Sequence, residues 1–467
     1  MMELKLTATK ILTVLSCSIL LLLQSCSEHT NTAVDNSSDK TMLSLDSSVV
    51  KSEGFVKNTM NAAPFLPQDQ SLKRISCPVP EATSNTHQTS AQVDYSEYEW
   101  EDRVAHDWNF FKTTPLKGRV LLIDIKQQNE QIAYRYLANN ETQNQLYEPW
   151  SSSKIFAFTG AIAQLRKQHL RSQTGNTVEV APDFAQGLIG QHHVADMITS
   201  INSYEAFAKA DGNSNDLATF FANLATRDYL TSLFYDEWLK LSTPNIYFRG
   251  SYGPTSFEPD EFVWRSPSSE LFFPFSMDNV GANDPGYLSY RCESCGLTGN
   301  KPMTTLAQAE WLKRLAMHNK DPITAHPLLL TSDINTLFYG VGHSQQPAQF
   351  AGMTLGISSM LQQAIAKHLY TGKLEMTPAL AKTTLDNATQ GQWRVFQKIG
   401  WGPSETRSSA ENVVLAYVCL PNYQGGKAFV VAAQAEVAGA KEENVAFAGL
   451  KMQALLDDTM HEYLSVY

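Results

Sequence analysis

The chain is predicted to be an α/β (α+β) protein, with an antiparallel sheet flanked by helices and an additional all-helical lobe. Three features carry that expectation. Two pairs of β-rich segments lie far apart, at residues 119–137 and 412–434; helical periodicity recurs between them; and a serine–lysine pair directly follows the first pair. The two pairs would join in one sheet, covered by helices starting at Ser151 and spanning 446–463, while residues of about 160 to 380 would build the lobe.

Taken in order, the N-terminus reads as a lipoprotein signal. Lys5 and Lys10 precede an apolar run at 11–23 that is too short to span a bilayer comfortably, and Leu23-Gln24-Ser25-Cys26 has the form of a lipobox. Residues 1–25 would be the signal peptide and Cys26 the lipidated residue; Val14-Leu15-Ser16-Cys17 is the poorer candidate because the apolar run continues past it. Such a chain would be lipid-anchored in a bacterial cell envelope, at the periplasmic face or the outer membrane. Residues 26–95, rich in Ser, Thr, Asn and Asp, read as a flexible tether, with Phe65-Leu66-Pro67 and Cys77-Pro78-Val79-Pro80 as its possible packing points. The body would then run from 96 to 467.

A formal net charge of -11 and the absence of a basic stripe argue against nucleic acid as a partner. With Cys17 removed and Cys26 acylated, Cys77, Cys292, Cys295 and Cys419 remain, and disulfides among them are the default in an oxidising compartment. Cys292-Glu293-Ser294-Cys295 could instead be half of a zinc site. No second Cys pair or spaced His pair accompanies it, so neither a metal nor a cofactor is expected.

Residues 119–126 and 131–137 are separated by Gln127-Gln128-Asn129-Glu130, a hairpin pattern. Pro149 then breaks extended structure. From Ser151 onward, Ile155, Phe158, Ile162 and Leu165 fall at helical spacing, which puts Ser151 and Lys154 on one face of a first helical turn. There the lysine amine can reach the serine hydroxyl, and the helix N-terminus offers free N–H groups to an attacked carbonyl. The same Ser-x-x-Lys spacing occurs at Ser37–Lys40 and Ser48–Lys51, so setting rather than spacing singles out Ser151.

Farther along, Leu217, Phe220, Phe221 and Leu224 form a helical pattern behind residues 211–216. Lys398-Ile399-Gly400-Trp401-Gly402 leads into two alternating apolar strands around the turn at 422–426. This order of elements resembles the penicillin-recognising serine hydrolases, the superfamily of serine β-lactamases and D-Ala-D-Ala peptidases, over roughly residues 105 to 467. The resemblance implies Ser151 as nucleophile, Lys154 as general base and Ser214 as proton relay. It assigns Asn215, Asp216, Lys398, Gly400 and Trp401 to substrate binding, with the N–H groups of Ser151 and Trp401 as an oxyanion hole. Two other registers stay open for the second motif, Asn213-Ser214-Asn215 and Ser200-Ile201-Asn202.

Ile399 departs from the resemblance, which expects a hydroxyl there for a substrate carboxylate; Ser404, Thr406 or Arg407 could compensate. Glu258 and Glu261 are the acidic candidates for activating a deacylating water, but acids beside Pro259 read more simply as a solvated loop. The implied activity is an envelope serine hydrolase acting through an acyl-enzyme on a β-lactam or peptidoglycan-type amide. An esterase on the same fold and a catalytically inactive binding lipoprotein are the alternatives.

Overall fold

The computed structural model describes residues 52–69, 77–82, 85–112, 118–172, 182–204, 214–277, 283–284, 286–287, 300–340, 351–372 and 374–466. The signal segment, Cys26, Asn213, Cys292 and Cys295 fall outside them. The strands are β1 (Gln88–Thr89), β2 (His106–Asp107), β3 (Arg119–Gln128), β4 (Gln131–Ala138), β5 (Leu188–Ile189), β6 (His192–His193), β7 (Val263–Arg265), β8 (Phe272–Pro274), β9 (Arg394–Ser404), β10 (Ser409–Leu420) and β11 (Lys427–Ala438). The longer helices are α1 (Lys154–Ser172), α2 (Val194–Ser203), α3 (Ser214–Ala225), α4 (Arg227–Ser232), α5 (Thr305–Ala316), α6 (Thr331–Tyr339), α7 (Met360–Leu369), α8 (Pro378–Thr389) and α9 (Glu442–Val466).

Among the described residues the main sheet runs β1-β4-β3-β11-β10-β9, with β2 parallel to β4 and every other pairing antiparallel. The two distant strand pairs meet where β3 pairs with β11, from Arg119 opposite Gln434 to Ile125 opposite Ala428. Side chains alternate across the sheet with period two. Leu121, Ile123, Ile125, Leu415, Tyr417 and Val430 face the cluster that contains residues of α1 and α5, whereas Val120, Leu122, Val414, Ala416 and Val431 face α7 and α9. With both faces covered, every residue of β10 is buried. The helical lobe also carries a small antiparallel sheet, in the order β6-β5-β7-β8.

The same alternation positions the site. On the edge strand β9, Lys398 and Gly400 share the parity of Phe396, which faces α1 and α5, while Ile399 shares that of Val395, which faces α7 and α9.

Two expectations need correction. The segment read as a tether to residue 95 belongs in large part to the body, because the compact unit begins at Val50. Cys77 is disulfide-bonded to Cys419 on β10, β1 pairs with β4, and Phe65 packs edge-on against Trp393 at 5.9 Å. Val93 and Tyr95 are buried, Ser90 donates to Asp321 at 2.6 Å, and the Tyr95 and Tyr136 hydroxyls are hydrogen-bonded at 2.8 Å. The segment is polar on average, yet Phe65, Cys77, Val93 and Tyr95 each pack against the body. The second correction concerns the helix expected to begin at Ser151. Residues Trp150–Ser153 form a 3-10 turn and α1 begins at Lys154.

The Cys77–Cys419 bond closes a loop of sequence separation 342. Replacing both cysteines by serine should lower unfolding free energy by about 2–5 kcal/mol, read from denaturant midpoints of the oxidised parent and the variant.

Candidate functional site

The turn carrying Ser151 is held from several sides. Glu148 is buried, and its carboxylate accepts the main-chain N–H of Lys301 at 3.1 Å. Pro149 follows, and then Trp150 takes a left-handed backbone, φ +52°, which is unfavourable for a bulky residue. Its indole N–H donates to Glu411 on β10 at 2.7 Å. Its ring lies against β9 so closely that a Cβ on Gly402 would fall 2.5 Å from it. Anchored in this way, Trp150 ends the extended chain and delivers Ser151 at the mouth of α1.

Three consecutive serines stand in this turn, and their surroundings separate them. Ser152 donates to the Pro149 carbonyl at 2.6 Å and accepts from Gln308 at 2.7 Å. Ser153 donates to the Trp150 carbonyl at 2.8 Å and is hydrogen-bonded with the Tyr252 hydroxyl at 2.9 Å. Both are buried. Ser151 is only partly buried, and its side chain meets the hydroxyl of Tyr204.

Lys154, three residues later, is fully buried; its amine donates to Ser214 Oγ at 2.9 Å and to Asn215 Oδ1 at 2.7 Å. Ser214 in turn donates to the Ile201 carbonyl at 3.0 Å, and the Lys398 amine donates to that same oxygen. Ile201 lies in the last turn of α2, where carbonyls lack intrahelical donors. The Ser151 turn, α2, α3 and β9 therefore converge on one small volume. Tyr204, just past the end of α2, closes it: its ring centroid is 5.0 Å from the Lys154 amine and 3.8 Å from that of Lys398. Part of that ring remains accessible, while its hydroxyl points inward to Ser151.

The electrostatics follow from burial. Desolvation pushes the Lys154 amine well below the ordinary lysine range; the nearby Lys301 charge adds to this and Asp216 opposes it. Desolvation also pushes Lys398 well down, with the charge of Lys154 adding to the effect. Lys301 is brought down to about 8 by burial, against the attraction of Glu148. Each of these shifts favours the neutral amine, the state a general base requires.

Ser151, Lys154, Ser214, Asn215, Lys398 and Gly400 are thus brought together. Ser214 and Asn215 both meet Lys154; they belong to both registers that include Ser214, and Asn213 lies outside the described residues. Ser200-Ile201-Asn202 contributes its Ile201 carbonyl, while the Asn202 side chain turns back to the Ile198 carbonyl. Asp216 points elsewhere, accepting from Thr255 at 2.7 Å near the surface. Gly400 lies so close to the turn that a Cβ there would sit 2.6 Å from the Ser151 nitrogen and 2.7 Å from the Pro149 oxygen. The side chain of Trp401 packs, partly buried, against the apolar cluster that contains residues of α7 and α9, and its ring centroid lies 5.9 Å from that of Tyr204.

Ile399 is buried in the sheet face covered by α7 and α9. The proposed compensators are engaged away from the lysines: Ser404 with Thr406 at 3.4 Å, and Arg407 with Glu411 and Glu436. Glu258 is exposed and Glu261 pairs with Arg265 on the surface, as the solvated-loop reading expects. Sequence reading missed Tyr204, Tyr252, Lys301, Glu148 and Glu411. Glu148 is close to Ser151 in sequence but carries no motif that marks it, and the fold alone brings the other four near.

Searches of family models and of curated proteins found no match to this chain. Among solved structures, it resembles PBP-A at 8% identity and a TM-score of 0.34, covering 84% of this chain and 100% of that one. It also resembles a halotolerant bacterial β-lactamase at 12% identity and a TM-score of 0.32, covering 73% and 95% respectively.

Gly400→Ala should push β9 and the turn apart. We expect a stability loss of about 1–3 kcal/mol by denaturant unfolding, together with slower reaction of Ser151 with a serine-directed reagent.

Proposed function

We propose that this chain is an envelope serine hydrolase of the β-lactamase-like kind, which works through an acyl-enzyme on Ser151. The observation that carries the reading is the buried Lys154 amine, one turn after an accessible serine and hydrogen-bonded to a second hydroxyl, Ser214. In this reading neutral Lys154 takes the Ser151 proton as Oγ attacks the substrate carbonyl carbon. The N–H groups of Ser151 and Trp401 receive the resulting oxyanion. As the bond to the leaving group breaks, Ser214 passes it a proton and is reprotonated from Lys154. Water then hydrolyses the Ser151 ester and releases the acyl group. Asn215 holds the Lys154 amine, Lys398 supplies positive charge beside the cleft, and Gly400 lets substrate backbone lie along β9. Asp216 would act only through its charge.

The substrate we favour is a β-lactam or peptidoglycan-derived amide, encountered by an enzyme tethered to the membrane through lipid on Cys26. Ester substrates form a second reading. It is favoured by the burial of Ile399 on the opposite face and by the ion pairs of Arg407, which leave no hydroxyl or guanidinium from 399–407 at the lysines for a substrate carboxylate.

The test is intact-protein mass after exposure to a penicillin and, separately, to a fluorophosphonate. A one-to-one adduct on the parent and none on Ser151→Ala is the expected result; an adduct that persists on Ser151→Ala would refute the assignment. A chromogenic cephalosporin and a nitrophenyl ester then separate the two substrate readings by relative kcat/KM.

Lys154→Met should slow acylation by about 10²–10⁴-fold. Because the base is the neutral amine and its folded-state pKa is lowered, the acylation rate should rise with pH and level off well below the ordinary lysine range. A rise that continues through that range would show that another group takes the proton.

A further inference from the structure

At the end of the main sheet marked by the β9–β10 turn lies a groove of about 550 Å³, lined by the start of β3, Thr142 and Gln145, the β9–β10 turn, the end of β11 and one residue of α9. Its charged lining is Arg119, Arg407 and Lys451 against a single carboxylate, Glu436, in a chain whose net charge is -11. Glu436 serves both guanidiniums at long range, 3.3 Å from Arg119 and 3.4 Å from Arg407, where a tight charge-assisted bond is about 2.7–2.9 Å. Arg119 spends its Nε on Gln145 at 3.0 Å, and Lys451 donates to the main-chain carbonyl of Glu436 at 2.8 Å. Three cations thus line the open groove against Glu436 and neutral oxygens, with Arg407 also paired to the buried Glu411.

The groove is also wired to the nucleophile turn. Arg407 pairs through Nε with Glu411, whose other oxygen accepts the Trp150 indole N–H at 2.7 Å, and Trp150 is the left-handed residue immediately before Ser151. The Glu411 side chain is fully buried, so it depends on these two donors and on Ser409 at 3.1 Å for compensation.

We propose that this groove binds a small ligand through an oxyanion group, a phosphate or a carboxylate held between Arg119, Arg407 and Lys451, and that its occupancy is relayed through Glu411 to Trp150. Guanidinium forks and a lysine amine match either oxyanion in geometry and charge. An anion that draws Arg407 toward the groove weakens its pair with Glu411 and frees that carboxylate to tighten or shift its hold on the indole. The state of the strained turn then depends on a site distinct from the cleft.

The experiment is calorimetric titration of the protein with inorganic phosphate and, separately, with glutarate, repeated on Arg119→Gln and Lys451→Gln. Lys451 gives up one bond to a main-chain carbonyl, so its variant keeps the test valid should Arg119→Gln fold poorly. We expect at least one probe to bind and its affinity to fall at least tenfold in each folded variant; which probe binds separates phosphate from carboxylate ligands. No binding of either probe, or affinities unchanged in the variants, overturns the site. The relay is read from indole emission at saturating probe, taken as the difference between the parent and Trp150→Phe. A change that disappears in Glu411→Gln supports it, and no change overturns it. Neither readout needs Ser151 to react, so failure of the hydrolase reading and failure of this one are separate results.

Discussion

Burying two lysine amines side by side is the constraint on which the rest of the site depends. Lys154 and Lys398 are both fully buried, and the acceptors they reach among the described residues are a hydroxyl, a side-chain amide and one helix-end carbonyl. Among the described residues no carboxylate bonds to either. Two ammonium ions cannot share such a place cheaply, since removing each from water costs several kcal/mol and their mutual repulsion adds to this. Both effects favour the neutral amine, the form that the proposed Ser151 nucleophile needs beside it. The surrounding polar contacts then follow: the Ile201 carbonyl is shared by Lys398 and Ser214, and the Tyr204 ring presents its face to both amines.

Such an arrangement is intrinsically destabilising, and it persists because stiff elements impose it. Lys154 is fixed by the start of α1, and Lys398 by an edge strand whose neighbour, β10, is buried along its whole length. The turn between them holds Trp150 in a left-handed conformation against the close approach of Gly400 and Gly402. Strain of this kind, about 1–3 kcal/mol for such a backbone, is carried by the two apolar clusters on either side of the sheet. Ser151 is thereby left partly exposed while its neighbours Ser152 and Ser153 are consumed in hydrogen bonds that secure the turn.

Much of this was legible in the sequence, for identifiable reasons. The β3–β4 and β10–β11 pairs announce themselves by apolar alternation around short turns, and β9 by leading into them. Ser151 and Lys154 were marked by Pro149 before them and helical periodicity after them. The register of the second motif was not legible, because Ser214, Asn215 and Asp216 differ only in which side chain points inward, and that is set by how α3 packs beneath Lys154. Tyr204, Lys301 and Glu411 were invisible because their relation to Ser151 exists only in three dimensions, and Glu148 because nothing in its local sequence shows that it meets the Lys301 main chain. The tether was misread for a compositional reason: an average over a polar stretch conceals single residues such as Phe65, Cys77 and Tyr95 that each fill a specific place.

The central claim is that burial keeps the Lys154 amine neutral in the pH range where a base is needed. Its most direct test is an NMR titration of the lysine side chains, labelled at Cε and Nζ, with Lys154 assigned by its absence in Lys154→Met. The account predicts that the Lys154 signal titrates well below the ordinary lysine midpoint of about 10.4. A midpoint in the ordinary range would contradict it.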